Sequence, residues 1–248
     1  MADEFWLAEY GRKAALDDPI AQTGRGGQFQ TPELLASIRQ ALELLELDRR
    51  HHLLDVGCGN GLVDVVLSAC CASVTAIEPV EALYEHACRN TAACRNIRVI
   101  RAEGTCIPAE NAVFDRVLLL NVLQLVPRDE VASLAAELKR VTRPGGRIVF
   151  AAVPDGRRRE AFLTPYLAGV RGATHLSNEQ KQAIIERNER AVWHDPRALA
   201  RWFVDCGGQA EIVALADDDP DREHRFHLVI EVGNAAARTT RRRYQVTK

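Results

Sequence analysis

The sequence lacks any run of about eighteen consecutive apolar residues, which argues against a transmembrane helix. It also lacks the basic start and apolar stretch of a secretory signal peptide, because Met1-Ala2-Asp3-Glu4-Phe5-Trp6 is acidic. A strong charge of either sign is missing. With 32 basic against 34 acidic residues and a formal net charge of -2, nothing draws the whole chain to nucleic acid or to a membrane surface. Seven cysteines occur, at Cys58, Cys70, Cys71, Cys88, Cys94, Cys106 and Cys206, yet no two stand in a C-x-x-C pair. Zinc and thiol-redox readings therefore lack their spacing. Most of these cysteines fall in apolar helix or strand patterns, where a free thiol behaves as a small hydrophobe, and a reducing cytoplasm is the expected location. At 248 residues and 47% hydrophobic, the chain fits one large soluble α/β domain or one with a small insert.

What is there is organised around Leu53-Leu54-Asp55-Val56-Gly57-Cys58-Gly59-Asn60-Gly61. An apolar run ends in an acid and three alternating glycines, and Leu62 to Ala69 then reads as a helix. This is a buried strand that stops, a turn with almost no side chains, and a helix start whose free N–H groups favour a polar partner. Ser73 to Ile77 reads as a second strand with Glu78 at its end, about twenty residues beyond the glycines. In a parallel doubly wound sheet these two strand ends are neighbours, and a carboxylate there can accept hydrogen bonds from both hydroxyls of a ribose. The dinucleotide fingerprint G-x-G-x-x-G is absent, since Leu62 follows Gly61. A nucleoside cofactor without a pyrophosphate is the expectation.

With Asp55 to Gly61 followed by Ala76-Ile77-Glu78-Pro79, the chain resembles the class I S-adenosylmethionine-dependent methyltransferases. The likeness continues through Ala102-Glu103-Gly104-Thr105, where Glu103 stands in place of the commoner aspartate. It extends through the apolar strand Phe114 to Asn121 and the Arg143-Pro144-Gly145-Gly146 turn before the strand Arg147 to Val153. It covers roughly residues 50 to 154 in order. It implies a doubly wound, mostly parallel seven-stranded sheet with an antiparallel last strand, an N-terminal helical lid and a helical insert after strand five. The implied cofactor is S-adenosyl-L-methionine. Asp55 would organise the loop, and Gly57, Cys58, Gly59 and Gly61 would run beneath the amino-acid portion. Glu78 and Pro79 would stand at the ribose, Glu103, Gly104 and Thr105 at the adenine, and Asn121 and Val122 beside the sulfonium.

The acceptor half is less defined. Candidates for a role there are Asn121, Gln124 (where many relatives carry histidine) and His227; the two amides do not titrate near neutral pH and would position a substrate rather than take a proton. His175, His194 and His224 are further histidines outside the sheet core. Asn/Asp-Pro-Pro-Tyr is absent after strand four, no Pro-Cys nucleophile occurs, and no acidic metal triad is visible. These absences disfavour base amino methylation, cytosine C5 chemistry and a metal-dependent mechanism, so no metal is expected. What remains is transfer to oxygen or nitrogen of a small molecule. A sugar is one option, from a loose likeness of Arg222 to His227 to carbohydrate-cluster methyltransferases. Two alternatives stay open: an RNA methyltransferase using Arg157 to Arg159 and the basic tail, or a cofactor-binding partner protein without turnover. Nucleic acid is otherwise an unfavoured partner, no membrane partner is expected, and a homodimer is compatible with the sequence.

The expected organisation is one domain, 1–248. Residues 1–47 form the lid and covering helix, with an irregular stretch around Gly24 to Phe29 and a helix starting at Thr31-Pro32. Residues 50–154 form the cofactor half, 155–193 the insert with a polar helix from Ser177, 194–234 the C-terminal part of the sheet, and 235–248 a disordered basic tail. The acidic turn Asp217 to Asp221 reads as a solvated hairpin.

Overall fold

The computed structural model describes residues 4–22, 31–167, 177–205, 208–217, 219, 221–233 and 245–246. Its strands are β1 (His52–Val56), β2 (Ser73–Ile77), β3 (Ile97–Ile100), β4 (Phe114–Leu120), β5 (Thr142–Pro154), β6 (Gln209–Ala214), β7 (Arg225–Glu231) and β8 (Gln245–Val246). They form one sheet in the order β3-β2-β1-β4-β5-β7-β6-β8. β7 runs antiparallel between β5 and β6, and the strands from β3 to β5 are mutually parallel. Seven of the strands reproduce the expected sheet. The eighth corrects the expectation for the tail: Gln245 and Val246 pair in parallel with Glu211 and Ile212 of β6.

Successive side chains on a strand face opposite sides, and both sides here are covered. Leu54 and Val56 of β1 join one apolar cluster together with Val117 and Leu119 of β4. Leu53 and Leu118 join the other. Truncating one of these buried leucines to alanine costs about 2–5 kcal/mol. The helices on the first side are α6 (Val131–Val141) and α9 (Pro196–Asp205). On the second lie α3 (Thr31–Leu45), α4 (Leu62–Ser68) and α5 (Glu81–Thr91).

Ahead of the covering helix the chain is more regular than expected. α1 (Glu4–Ala14) and α2 (Pro19–Gln22) form within the leader, while the glycine-rich stretch around Gly24 to Phe29 lies outside the described residues. The insert holds α7 (Arg159–Leu167), which the residue pattern did not suggest, and α8 (Asn178–Arg190). Ser177 caps α8 in a full capping box with Gln180, which explains why so polar a helix starts there.

Two irregularities lie at the carboxyl edge of the sheet. Asn121, just past β4, has φ 58°, a left-handed conformation that asparagine tolerates better than most residues. The β5–β7 register shifts between Phe150 and Val153, and Ala152 within that bulge has φ 57°. His227 and Arg225 hold the bulge: the Ala152 N–H donates to His227 Nδ1 at 3.2 Å, and Arg225 Nη1 donates to the Ala152 carbonyl at 2.6 Å.

Candidate active site

β1 and β2 are paired with Val56 opposite Ile77, so the glycine turn and Glu78 leave the sheet side by side. Gly57 and Cys58 both donate their amides to the Ile77 carbonyl, at 2.8 and 3.1 Å, which fixes the start of the turn. The turn then needs left-handed backbone, with φ 77° at Gly57, 60° at Gly59 and 78° at Gly61. A Cβ on Gly57 would lie 2.6 Å from Val122 Cγ2, whereas one on Gly59 would meet no protein atom within 4 Å. Packing therefore does not demand Gly59. Its conformation does, and it leaves bare backbone on the wall of a cavity.

That cavity, with about 990 Å³ of space between atoms including part open to solvent, lies at the carboxyl ends of β1, β2 and β4. Gly57, Gly59, Glu78, Pro79, Glu103, Gly104, Thr105, Asn121 and Val122 line it, nine of the residues singled out from the sequence. Five others do not. Asp55 is buried beneath the loop, and Cys58 is buried in the core against α3 and α4. Gly61 packs on Ala87 and Thr91 of α5. Gln124 stands behind Asn121, with its Nε2 donating to the Asn121 carbonyl at 2.9 Å. His227 is 3% exposed, and its Nε2 lies 2.7 Å from Gln40 Oε1. With both ring nitrogens engaged inside the protein, His227 holds the bulge rather than facing the cavity.

Glu78 has the most developed setting. One carboxylate oxygen accepts from the Gly59 amide at 2.9 Å and the other from the Val80 amide at 2.9 Å. Burial pushes its carboxyl up to about 7, and the amides of Val80 and Gly59 pull the other way. Beneath the loop lies a second acidic feature, Asp55 with Asp64 of α4. Asp64 is fully buried, and its carboxyl hydrogen-bonds that of Asp55 when one of the two is protonated. Burial raises both carboxyls, and the charge of Asp55 and its hydrogen bond raise Asp64 further.

Several wall residues had escaped the sequence reading. Trp6, Leu7 and Tyr10 of α1 and Gln22 of α2 close the cavity from the N-terminal side. Asn60, fully buried, ties the loop to them: its Nδ2 donates to the Pro19 carbonyl at 2.7 Å and to Gln22 Oε1 at 3.0 Å. The aromatics ahead of the glycine-rich stretch were the available signal; nothing marked Gln22. The arginines at 157 to 159 do not line the cavity. Arg157 is held by Asp155, Nε to Oδ1 at 2.9 Å and Nη2 to Oδ2 at 2.6 Å. His194 is buried with Nε2 3.2 Å from the Leu123 carbonyl, His224 stacks edge-on against Phe162, and His175 lies outside the described residues.

The wall suits an S-adenosyl group: bare glycine backbone, a buried carboxylate with further lone pairs, and a long apolar face from Leu83, Leu125, Val126 and Leu134. Comparison with known proteins agrees. The Methyltransferase domain family matches residues 54–150. A protein-L-isoaspartate O-methyltransferase of Roseiflexus sp. is 31% identical over 67% of this chain and 76% of its own length. The ubiquinone biosynthesis O-methyltransferase of Methylococcus capsulatus is 29% identical over 72% of this chain and 71% of its own. Among solved structures, the N-methyltransferase NodS of Bradyrhizobium japonicum, in complex with S-adenosyl-L-homocysteine, superposes with a TM-score of 0.64 at 15% identity, covering 92% of this chain and 98% of that one, a likeness of fold.

The chain belongs to the class I S-adenosylmethionine-dependent methyltransferases. It is a methyltransferase, and S-adenosyl-L-methionine is its cofactor. Among the described residues no helix is long and apolar enough to cross a membrane.

Proposed function

We propose that the cavity holds the cofactor with Gly57 and Gly59 under its amino-acid portion, Glu78 at the ribose, and Glu103, Gly104 and Thr105 at the adenine, and that the acceptor is a small molecule methylated on oxygen or nitrogen. The cofactor supplies an activated methyl group on a sulfonium, so the protein's task is chiefly position and electrostatics. Asn121 and Val122, at the end of β4, then flank the reacting side of the cavity. Asn121 is fixed by its own left-handed backbone and by Gln124 behind it.

The observation that carries this reading is the Glu78 clamp. A carboxylate 5% exposed, bonded to the Gly59 amide within a cavity, retains lone pairs for two ribose hydroxyls. Calorimetric titration with S-adenosylmethionine and S-adenosylhomocysteine, on the wild type and on Glu78→Ala, tests it. Micromolar binding that is lost in the variant is expected; a folded wild type that binds neither ligand sinks the reading.

A small acceptor is favoured by the way α1 and α2 close one side of the cavity. α8 is joined to α1 through Arg190 over the Phe5 ring at 4.2 Å and Arg187 Nε to Glu9 Oε1 at 3.6 Å. The second reading, methylation of an isoaspartyl carboxylate, draws on the name of the Roseiflexus relative. Turnover on an isoaspartyl peptide, with none on small acceptors, would select it.

A further inference from the structure

The left-handed residues Asn121 and Ala152 stand at the carboxyl ends of two adjacent parallel strands, β4 and β5. Leu120 pairs with Ala151, and the Asn121 amide donates to the Ala151 carbonyl at 3.1 Å, so the two irregularities are one feature of the sheet edge. Left-handed backbone is unfavourable for a residue that carries a Cβ, and it persists where the surroundings over-determine it. Asn121 lines the cavity, whereas the side chains that hold it and Ala152 in place do not.

Those side chains form a run of hydrogen bonds that starts in the acidic turn. Asp219 there is 5% exposed rather than solvated, and its Oδ2 accepts from Gln40 Nε2 of α3 at 3.5 Å. Gln40 Oε1 lies 2.7 Å from His227 Nε2, and His227 Nδ1 accepts the Ala152 N–H. A ring nitrogen that accepts from an amide carries no proton, so the imidazole proton is on Nε2 and points to Gln40. On the other side of the bulge, Arg225 Nη1 donates to the Ala152 carbonyl at 2.6 Å and to Gln124 Oε1 at 3.3 Å, while its Nε pairs with Asp221 Oδ2 at 3.2 Å. Gln124 Nε2 then donates to the Asn121 carbonyl at 2.9 Å. Every donor in the run meets an acceptor, and each glutamine has the one orientation that satisfies the groups on both sides of it.

We propose that Arg225 and His227 are positioning residues for methyl transfer: acting through Gln124 and the Ala152 bulge, they fix Asn121 beside the methyl group that is transferred. Neither lines the cavity, so their effect falls on the reacting end and not on the hold of the glycine turn and Glu78. This proposal rests on the cofactor assignment above, and S-adenosylhomocysteine binding, measured separately, keeps the two apart.

The test needs no acceptor. Sinefungin carries an amine-bearing carbon where S-adenosylmethionine carries its methylated sulfur, and S-adenosylhomocysteine lacks any group at the place of the methyl. The ratio of the two affinities, by calorimetry, therefore reads the groups beside the reacting methyl. Gln124→Ala, Arg225→Met and His227→Leu are each expected to weaken sinefungin about fivefold relative to S-adenosylhomocysteine. S-adenosylhomocysteine affinity should stay within about twofold of the wild type, which reports a folded protein with an intact cofactor end. His227→Asn keeps an acceptor for the Ala152 N–H and should bring the ratio back toward the wild-type value. An unchanged ratio in Gln124→Ala and in whichever other variant binds S-adenosylhomocysteine overturns the proposal. So does an equal loss of both ligands in all three variants, or a His227→Asn as impaired as His227→Leu. A folded wild type that binds neither ligand sinks the cofactor assignment, and the proposal with it.

Discussion

The two ends of the cavity are built in different ways. At the β1–β2 end the site is backbone and carboxylate: three glycines with positive φ, and Glu78 bonded to the amides of Gly59 and Val80. Its parts lie within Asp55 to Val80 and are fixed by strand pairing. At the β4 end the wall is side chains gathered from α1, α2 and the segment after β4. Backbone recognition constrains sequence tightly, because only glycine takes those conformations at little cost. Side-chain recognition leaves residue type free to follow the acceptor.

Damage to the first end should therefore act on cofactor binding, and damage to the second on turnover. The largest effect is expected from Gly57→Val. Its φ is 77°, and its Cβ would lie 2.6 Å from Val122 Cγ2, so the turn must shift along with the wall opposite. A β-branched residue in left-handed backbone adds about 1–2 kcal/mol of strain. Together with displacement of the Gly59 amide from Glu78, S-adenosylhomocysteine affinity should fall about 100-fold, roughly 2.8 kcal/mol, by calorimetry. Retained affinity would mean that the loop is not where the cofactor lies.

The next effect is one of pH. Glu78 titrates near 7 in the free protein, raised mainly by burial. If its carboxylate must accept from ribose hydroxyls, affinity is full above that value and lost as pH falls through it. From pH 8 to pH 6 the dissociation constant for S-adenosylhomocysteine should rise about tenfold, and the dependence should flatten in Glu78→Gln, which binds weakly at both. A flat wild-type profile would remove Glu78 from the ribose.

These expectations also mark what was legible in the chain. The Asp55 to Gly61 string and Glu78 could be read because their geometry is local: strand, turn and helix start follow from residue order, and the second strand end follows from parallel pairing. Seven strands and the inserted antiparallel β7 followed in the same way. Gln22 could not be read, since nothing in α2 alone says that it closes the cavity. His227 misled for the same reason. Its place at the start of the last strand was visible, but not that the β5 bulge and Gln40 take up its ring nitrogens. Nor did Gln245 and Val246 show, in a basic tail, that they add an edge strand to β6.

Gln124→Ala sharpens the comparison from the other end. Its side chain donates to the Asn121 carbonyl and lies 3.3 Å from Arg225, but it does not line the cavity. S-adenosylhomocysteine affinity should stay within about twofold. Loss of the bond to the Asn121 carbonyl and of the long one from Arg225, about 1 kcal/mol, should instead appear as a roughly fivefold fall in kcat/KM on any acceptor found. A matching loss of cofactor affinity would merge the two ends into one unit.

The last effect concerns stability rather than binding or turnover and lies entirely at the first end. Asp64 is buried at the start of α4, with its carboxyl hydrogen-bonded to that of Asp55. Its carboxyl is raised by burial above the unfolded value. It therefore contributes most stability below the unfolded value, and that contribution is lost as pH rises toward the folded one. Asp64→Asn cannot ionise, so it removes the proton-dependent cost but keeps the polar volume. Thermal unfolding should show a gain on the order of 1–2 kcal/mol at pH 8, about 2–8 °C at this length, and a smaller gain at pH 5. A destabilised variant at pH 8 would mean that the Asp55–Asp64 pair is held by its shared proton more strongly than burial opposes it. The acidic base of the loop would then be a support of the cofactor end rather than a cost borne by it.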